Sequence, residues 1–178
     1  SGGTPTELTL IRPGPAYGDA ICDMMDEWRA AGETIIPNAI ARRDHHDFAA
    51  YLASLEHDGS VPGQVPESTF FCLDAARGRL VGAVSIRHRL NERLLLTAGH
   101  IGDGVRPSER GRGVATRMIA LALAQCRALG IGRVLMVCKK DNPASARTIV
   151  KNGGVLENEI AADGALWQRY WIALEGAP

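Results

Sequence analysis

Val105-Arg106-Pro107-Ser108-Glu109-Arg110-Gly111-Arg112-Gly113-Val114-Ala115-Thr116 joins an apolar run to an amphipathic segment through a turn rich in glycine and arginine. A strand feeding a glycine turn and then a helix start makes an anion site. The first NH groups of a helix have no intrahelical partner, and the macrodipole adds partial positive charge there. Without side chains at Gly111 and Gly113, a phosphate can approach the main chain closely. Arg106, Arg110 and Arg112 are expected to add a local basic site.

The bulk composition sets the background. The chain has 178 residues, enough for one domain with a full core, expected over residues 4–178. Ser1-Gly2-Gly3 reads as a tag remnant. Hydrophobic residues make up 46% and charged residues 22%, the balance of an ordinary globular protein. Net charge is zero, so nothing global favours nucleic acid or a membrane surface as partner. Cys22, Cys72, Cys126 and Cys138 form no C-x-x-C pair, and each lies in an apolar stretch. Buried free thiols in a cytoplasmic protein are the expectation, with no metal site. No apolar run is long enough to span a bilayer, and no signal-peptide pattern is seen, so neither feature is expected.

Outward from the turn, periodicity predicts the rest. A strand covers 7–12, a helix 16–31, and a second helix, capped by Asp44, runs to about residue 56. Strands follow over 68–74 and 79–88, then a third strand over 94–105. A helix covers 111–129 and a compact buried strand 133–138. Asn142 caps a helix with Pro143 at its first position, ending at Gly153. Strands over 155–160 and 166–174 close the chain. The unit from 94 to 138 is expected to be a right-handed crossover between parallel neighbours. The Asp44-His45-His46-Asp47 run invites a metal reading. On a helix, however, adjacent histidines point to different faces, so a polar helix start is expected instead.

Arg110-x-x-Gly113-x-Ala115 resembles the acyl-CoA signature Q/R-x-x-G-x-G/A of the GNAT superfamily of N-acetyltransferases. The lead-in Val105-x-Pro107, the later Asn142 and Gly153, and the element order resemble that family too. The likeness spans about residues 7–174. HIGDGVRPSER at 100–110 and DNPASARTIVKNGG at 141–154 resemble a subgroup of predicted acetyltransferases whose acceptor is unknown. The resemblance implies an α/β GNAT fold: a mixed central sheet of about seven strands with about four main helices, splayed between its two central parallel strands. It also implies acetyl-CoA as co-substrate. Gly104, Val105, Arg106, Arg110, Gly111, Arg112, Gly113, Val114, Ala115 and Thr116 would hold its pyrophosphate and pantetheine arm, with Asn142 and Ser145 beside the arm. Gly102 and Gly104 would let the arm approach.

The implied reaction is direct attack by an amine on the thioester. A lysine-like amine is mostly protonated at neutral pH, so a base is needed. The backbone NH of Val105 would hold the oxyanion. His100 is the first candidate base and Asp103 the second. The family's tyrosine acid is expected seven residues after the asparagine, where this chain has Ile149. Cys138 is the candidate substitute. The reading is N-acetyl transfer to an amine of a small molecule or peptide, by a monomer or homodimer. A CoA-binding module of the same fold without transferase activity is the alternative.

Overall fold

The computed structural model describes residues 5 and 7–174; the tag-like Ser1-Gly2-Gly3 lies outside them. Fifteen elements follow one another. They are β1 (Leu8–Ile11), a 3-10 turn (Pro15–Tyr17), α1 (Gly18–Ala30), a second 3-10 turn (Asn38–Ala41), α2 (Phe48–Ala53), β2 (Glu67–Asp74), β3 (Arg79–Arg87), α3 (Glu92–Thr97), β4 (Ile101–Val105), a third 3-10 turn (Pro107–Glu109), α4 (Val114–Ala128), β5 (Arg133–Lys139), α5 (Pro143–Lys151), β6 (Val155–Ala162) and β7 (Ala165–Ala173).

The expected single mixed sheet is instead two antiparallel sheets, ordered β1-β2-β3-β4 and β5-β7-β6. Between β4 and β5 there is no ladder, only an isolated bridge at Gly99 and Met136. The cause is visible in the backbone. Arg106 NH donates to Val81 O and Arg87 NH to His100 O. Hydrogen-bonded pairs alternate along an antiparallel ladder, so the NH and C=O groups of Ile101, Asp103 and Val105 point away from β3. The same parity, fixed by Lys140 NH to Leu166 O and Leu174 NH to Gly132 O, turns those of Leu135, Val137 and Lys139 away from β7. Two rows of main-chain polar groups face each other across the split. They join at one end only, where His100 NH donates to Leu135 O over 2.8 Å and Leu135 NH donates to His100 Nδ1 over 2.9 Å.

Two apolar cores flank the first sheet. Phe70 and Cys72 of β2 face one way, towards Met118, Ala122 and Cys126 of α4. Phe71 faces the other, towards Met24 and Trp28 of α1 and Tyr51 of α2. A strand buried on both faces reads as a continuous apolar run, as β2 does over residues 70–73.

Among the described residues five α-helices form rather than about four. The extra one is α3, where a strand was expected from residue 94. Asn91 caps it, its side chain accepting from Leu94 NH at 2.9 Å, and only Leu94 of the leucine run is buried. Leucine is also a good helix former. The second predicted helix shrinks to α2, because Asp44 caps nothing and turns back onto His46 NH. The main helix starts at Val114, since Gly111 and Gly113 both hold left-handed backbone, φ 76° and 77°.

Candidate functional site

A cleft of about 860 Å³ opens where β4 and β5 part, bounded by the turn before α4, the start of α5 and residues 36–38. Gly104, Val105, Arg110, Gly111, Gly113, Val114, Ala115, Thr116, Asn142 and Ser145 of the sequence-predicted set line it, as do Cys138 and Asp103. His100, Arg106 and Arg112 do not.

At the α4 end the surface is main chain. Val114, Ala115 and Thr116 occupy the first helical turn, and their NH groups have no acceptor among the described residues. Gly113 stands at the cap position with no side chain to satisfy them. Of the three arginines only Arg110 lines the cleft, and all three meet carboxylates. Arg106 is buried, its Nε donating to Glu27 Oε1 at 2.8 Å, Nη2 to Asp23 Oδ2 at 2.8 Å and Nη1 to Leu80 O at 3.1 Å. Arg110 forms a two-armed pair with Glu33 at 2.9 and 2.6 Å. Arg112 donates to Glu109 at 3.0 Å, and Arg77 donates to the same buried carboxylate. Carboxylates of α1, of Glu33 just beyond it and of the turn itself thus engage the cations of the expected basic site.

Glu27 is the fastener of this turn. Besides Arg106, it accepts from Ser108 NH at 3.0 Å and Ser108 Oγ at 2.9 Å. Burial would raise its carboxyl, but these donors outweigh that and lower it below the usual glutamate range. Sequence reasoning missed Glu27, which lies 81 residues from Ser108 and carries no local signal.

Gly102 and Gly104 both line the cleft. A Cβ on Gly104 would lie 1.9 Å from Ile36 O, and one on Gly102 would lie 3.2 Å from Pro37. These glycines let residues 36 and 37 sit against β4 at the wall of the cleft.

In the middle of the cleft the surface is side chain. Asp103 is half-buried, its carboxylate has no hydrogen-bond partner among the described residues, and burial pushes it up to about 6. Cys138 is buried, with Sγ directed at Gln168 Oε1 at 3.9 Å. Burial raises the thiol, a hydrogen bond with Ser145 opposes this, and the charge of Asp103 raises it further. Tyr170 OH donates to the same Gln168 oxygen at 3.2 Å. Ile149 is buried in the core. His100 sits at the closed end of the split. Its Nδ1 is occupied by Leu135 NH, and burial, then Arg87, bring it down to about 4. Asn142 Oδ1 accepts from Ser145 NH at 3.2 Å, leaving its amide NH2 at the cleft wall.

Residues 8–155 match the family model described as "Acetyltransferase (GNAT) domain". No curated protein matches the chain in sequence. Among solved structures, the chain is similar to a chimera of spermidine N-acetyltransferase SpeG from Vibrio cholerae and hSSAT, at 17% identity and TM-score 0.63, over 94% of this chain and 96% of that one. It is also similar to ribosomal-protein-S5-alanine acetyltransferase from Vibrio fischeri, at 17% identity and TM-score 0.66, over 96% and 94%. A third is the microcin C7 self-immunity acetyltransferase MccE in complex with acetyl-CoA and AMP, at 17% identity and TM-score 0.63, over 95% and 93%. No helix among the described residues is long and apolar enough to cross a membrane.

Proposed function

The chain belongs to the acetyltransferase (GNAT) family, and on that premise we propose that it moves an acetyl group from acetyl-CoA to an amine of a small molecule or peptide by direct attack. The observation that carries this reading is the split itself. It presents a row of unpaired main-chain groups on β4 that leads to unpaired NH groups at the start of α4.

The pantetheine arm, with its two amides, adds to the β4 edge as an extra strand would. The pyrophosphate lies on the NH groups of Val114 to Thr116, reached past Gly111 and Gly113. Asn142 caps α5 through its oxygen and offers its NH2 to the arm. MccE was solved with acetyl-CoA, and the same co-substrate is proposed here.

Asp103, rather than His100, is the base in this reading. A general base works best with a pKa near the operating pH, and it must face the reacting atoms. Asp103 lines the cleft with a carboxyl raised to about 6, whereas His100 is off the cleft at about 4. Asp103 takes the proton from the attacking amine. The amine nitrogen then bonds to the thioester carbon, and the Val105 NH, which points into the split, holds the oxyanion. Collapse breaks the carbon–sulfur bond, the CoA sulfur leaves as thiolate, and the nitrogen's second proton passes to that sulfur, directly or through the Cys138 thiol, to give free CoA and the neutral amide. Thiols have pKa of about 8.5, so that sulfur leaves with little help. Cys138, whose thiol is raised by burial and by the charge of Asp103, lines the cleft and is the candidate proton donor.

Calorimetric titration with acetyl-CoA, followed by thiol release over a panel of amines, tests this reading. Saturable binding with thiol release on one amine class is the expected result. Binding without release on any amine gives the CoA-binding module instead. Absence of binding overturns both.

A further inference from the structure

Away from the cleft, Asp26 of α1 meets His45 and His46 of the segment before α2. One ligand atom from each lies within 4.8 Å of the others. Both imidazoles present Nε2 to the same carboxylate oxygen, Asp26 Oδ1, at 2.7 Å for His45 and 3.1 Å for His46. Residues 42–47 are not helical, so the objection that adjacent histidines diverge does not apply. Their ring centroids are 4.1 Å apart.

We infer that Asp26, His45 and His46 form a binding site for a divalent transition metal, with zinc the ion the donor set suits best. Two imidazoles and one carboxylate are the ligand types zinc takes, and a fourth position is left for water. Tetrahedral zinc with bonds near 2.1 Å places its ligand atoms about 3.4 Å apart. The observed 2.7 and 3.1 Å are shorter than that spacing by about 0.7 and 0.3 Å, a gap that a small opening of the exposed Asp26 and His46 side chains would close.

Three further observations fit a ligating role. His46 Nδ1 lies 2.9 Å from Asp44 Oδ1, which also accepts His46 NH at 3.0 Å. A carboxylate behind the imidazole fixes the proton on Nδ1 and directs the Nε2 lone pair outward. That lone pair faces a carboxylate oxygen, an arrangement that needs a cation between them, either a proton or a metal ion. The His45 ring is buried and set edge-on to Tyr51, so one ligand is held in place by the core. The Asp26 and His46 side chains are about half exposed, at 54% and 55%, which gives an ion a way in.

An ion here would tie the segment before α2 to α1. The same segment lays Ile36 and Pro37 against β4 at the wall of the cleft. The site is therefore placed to stiffen one side of the cleft without touching it.

The test uses the tag-free chain stripped with chelator. It is titrated with Zn(II) by calorimetry and with Co(II) by visible absorption. One equivalent should bind, with d–d bands of tetrahedral intensity. His46→Ala and Asp26→Asn, both at exposed positions, should fold as judged by circular dichroism and lose Zn(II) affinity by more than about tenfold, and Asp44→Asn by about tenfold. Cys22→Ser should leave affinity unchanged, although the Cys22 thiol lies beside His45 O. Three results overturn the assignment: no saturable binding, unchanged affinity in the folded His46→Ala and Asp26→Asn chains, or loss of binding in Cys22→Ser.

Discussion

At the α4 end of the cleft, Gly113 and the first turn of the helix present main-chain NH groups and almost no side chain. Midway along it, Asp103 and Cys138 present side chains on strands that have come apart. The first region owes its chemistry to backbone geometry, which only substitutions that change that geometry or its charge can spoil. The second owes its chemistry to two groups whose properties come from burial and from each other. Disabling the first should abolish donor binding. Disabling the second should leave binding intact and slow the reaction.

The largest effect is therefore expected from Gly113→Asp. Position 113 holds left-handed backbone, and a carboxylate there would meet the phosphate directly. Acetyl-CoA affinity should fall by at least about 100-fold, or about 2.7 kcal/mol. Calorimetry measures the loss, and circular dichroism checks that the chain stays folded. An unchanged Kd in the folded variant would remove the phosphate assignment.

Asp103→Asn comes next and should separate the two regions. Acetyl-CoA affinity should stay within about threefold while kcat/KM falls about 100-fold, the scale of a lost general base. In the parent chain, kcat/KM should rise with pH through about 6 and then level, and the variant should lack that inflection. Stability should move the opposite way. The folded carboxyl stands at about 6 against an ordinary 3.8, so folding disfavours its charged form. This group's penalty is absent below about 3.8, grows between there and about 6, and is complete above. Asp103→Asn should thus raise Tm at about pH 8 and leave it unchanged near pH 3. A lower Tm at both would show that Asp103 is not the strained group.

Cys138→Ala should be milder, lowering kcat by no more than about tenfold, because a thiolate leaves readily without an acid. Cys138→Ser should restore part of that loss. A drop as large as that of Asp103→Asn would make the thiol central to the proton chemistry.

The same contrast governs what could be read from the chain. The turn, α4, α5 and its Asn142 cap were legible because glycine, proline and asparagine act through local backbone geometry. The split was not legible from spacing, since it depends on ladder parity across β3, β4, β5 and β7. Leu94 to Thr97 misled because a leucine run suits either a buried strand or a capped helix, and only Asn91 decides between them. His100 and Asp103 sit three residues apart, and nothing local shows which faces the cleft. Register does, by handing His100 to Leu135 NH.

Arg110 and Gly113 belong to one motif, yet opposite outcomes are expected from them, and the smallest predicted effect belongs to Arg110→Ala. Its guanidinium is bound to Glu33, with both side chains roughly half exposed, at 44% and 41%. An exposed pair of this kind contributes about 0–1 kcal/mol. To reach a phosphate, Arg110 would have to leave that partner, so the exchange gains little. Acetyl-CoA affinity should change by less than about threefold, a difference of under about 0.7 kcal/mol. Its salt dependence should also match that of the parent chain. If instead Arg110→Ala costs more than tenfold and flattens the salt dependence, the arginine switches partner on binding. The α4 end would then owe part of its affinity to side-chain charge, and the division between a main-chain end and a side-chain centre would have to be redrawn at residue 110.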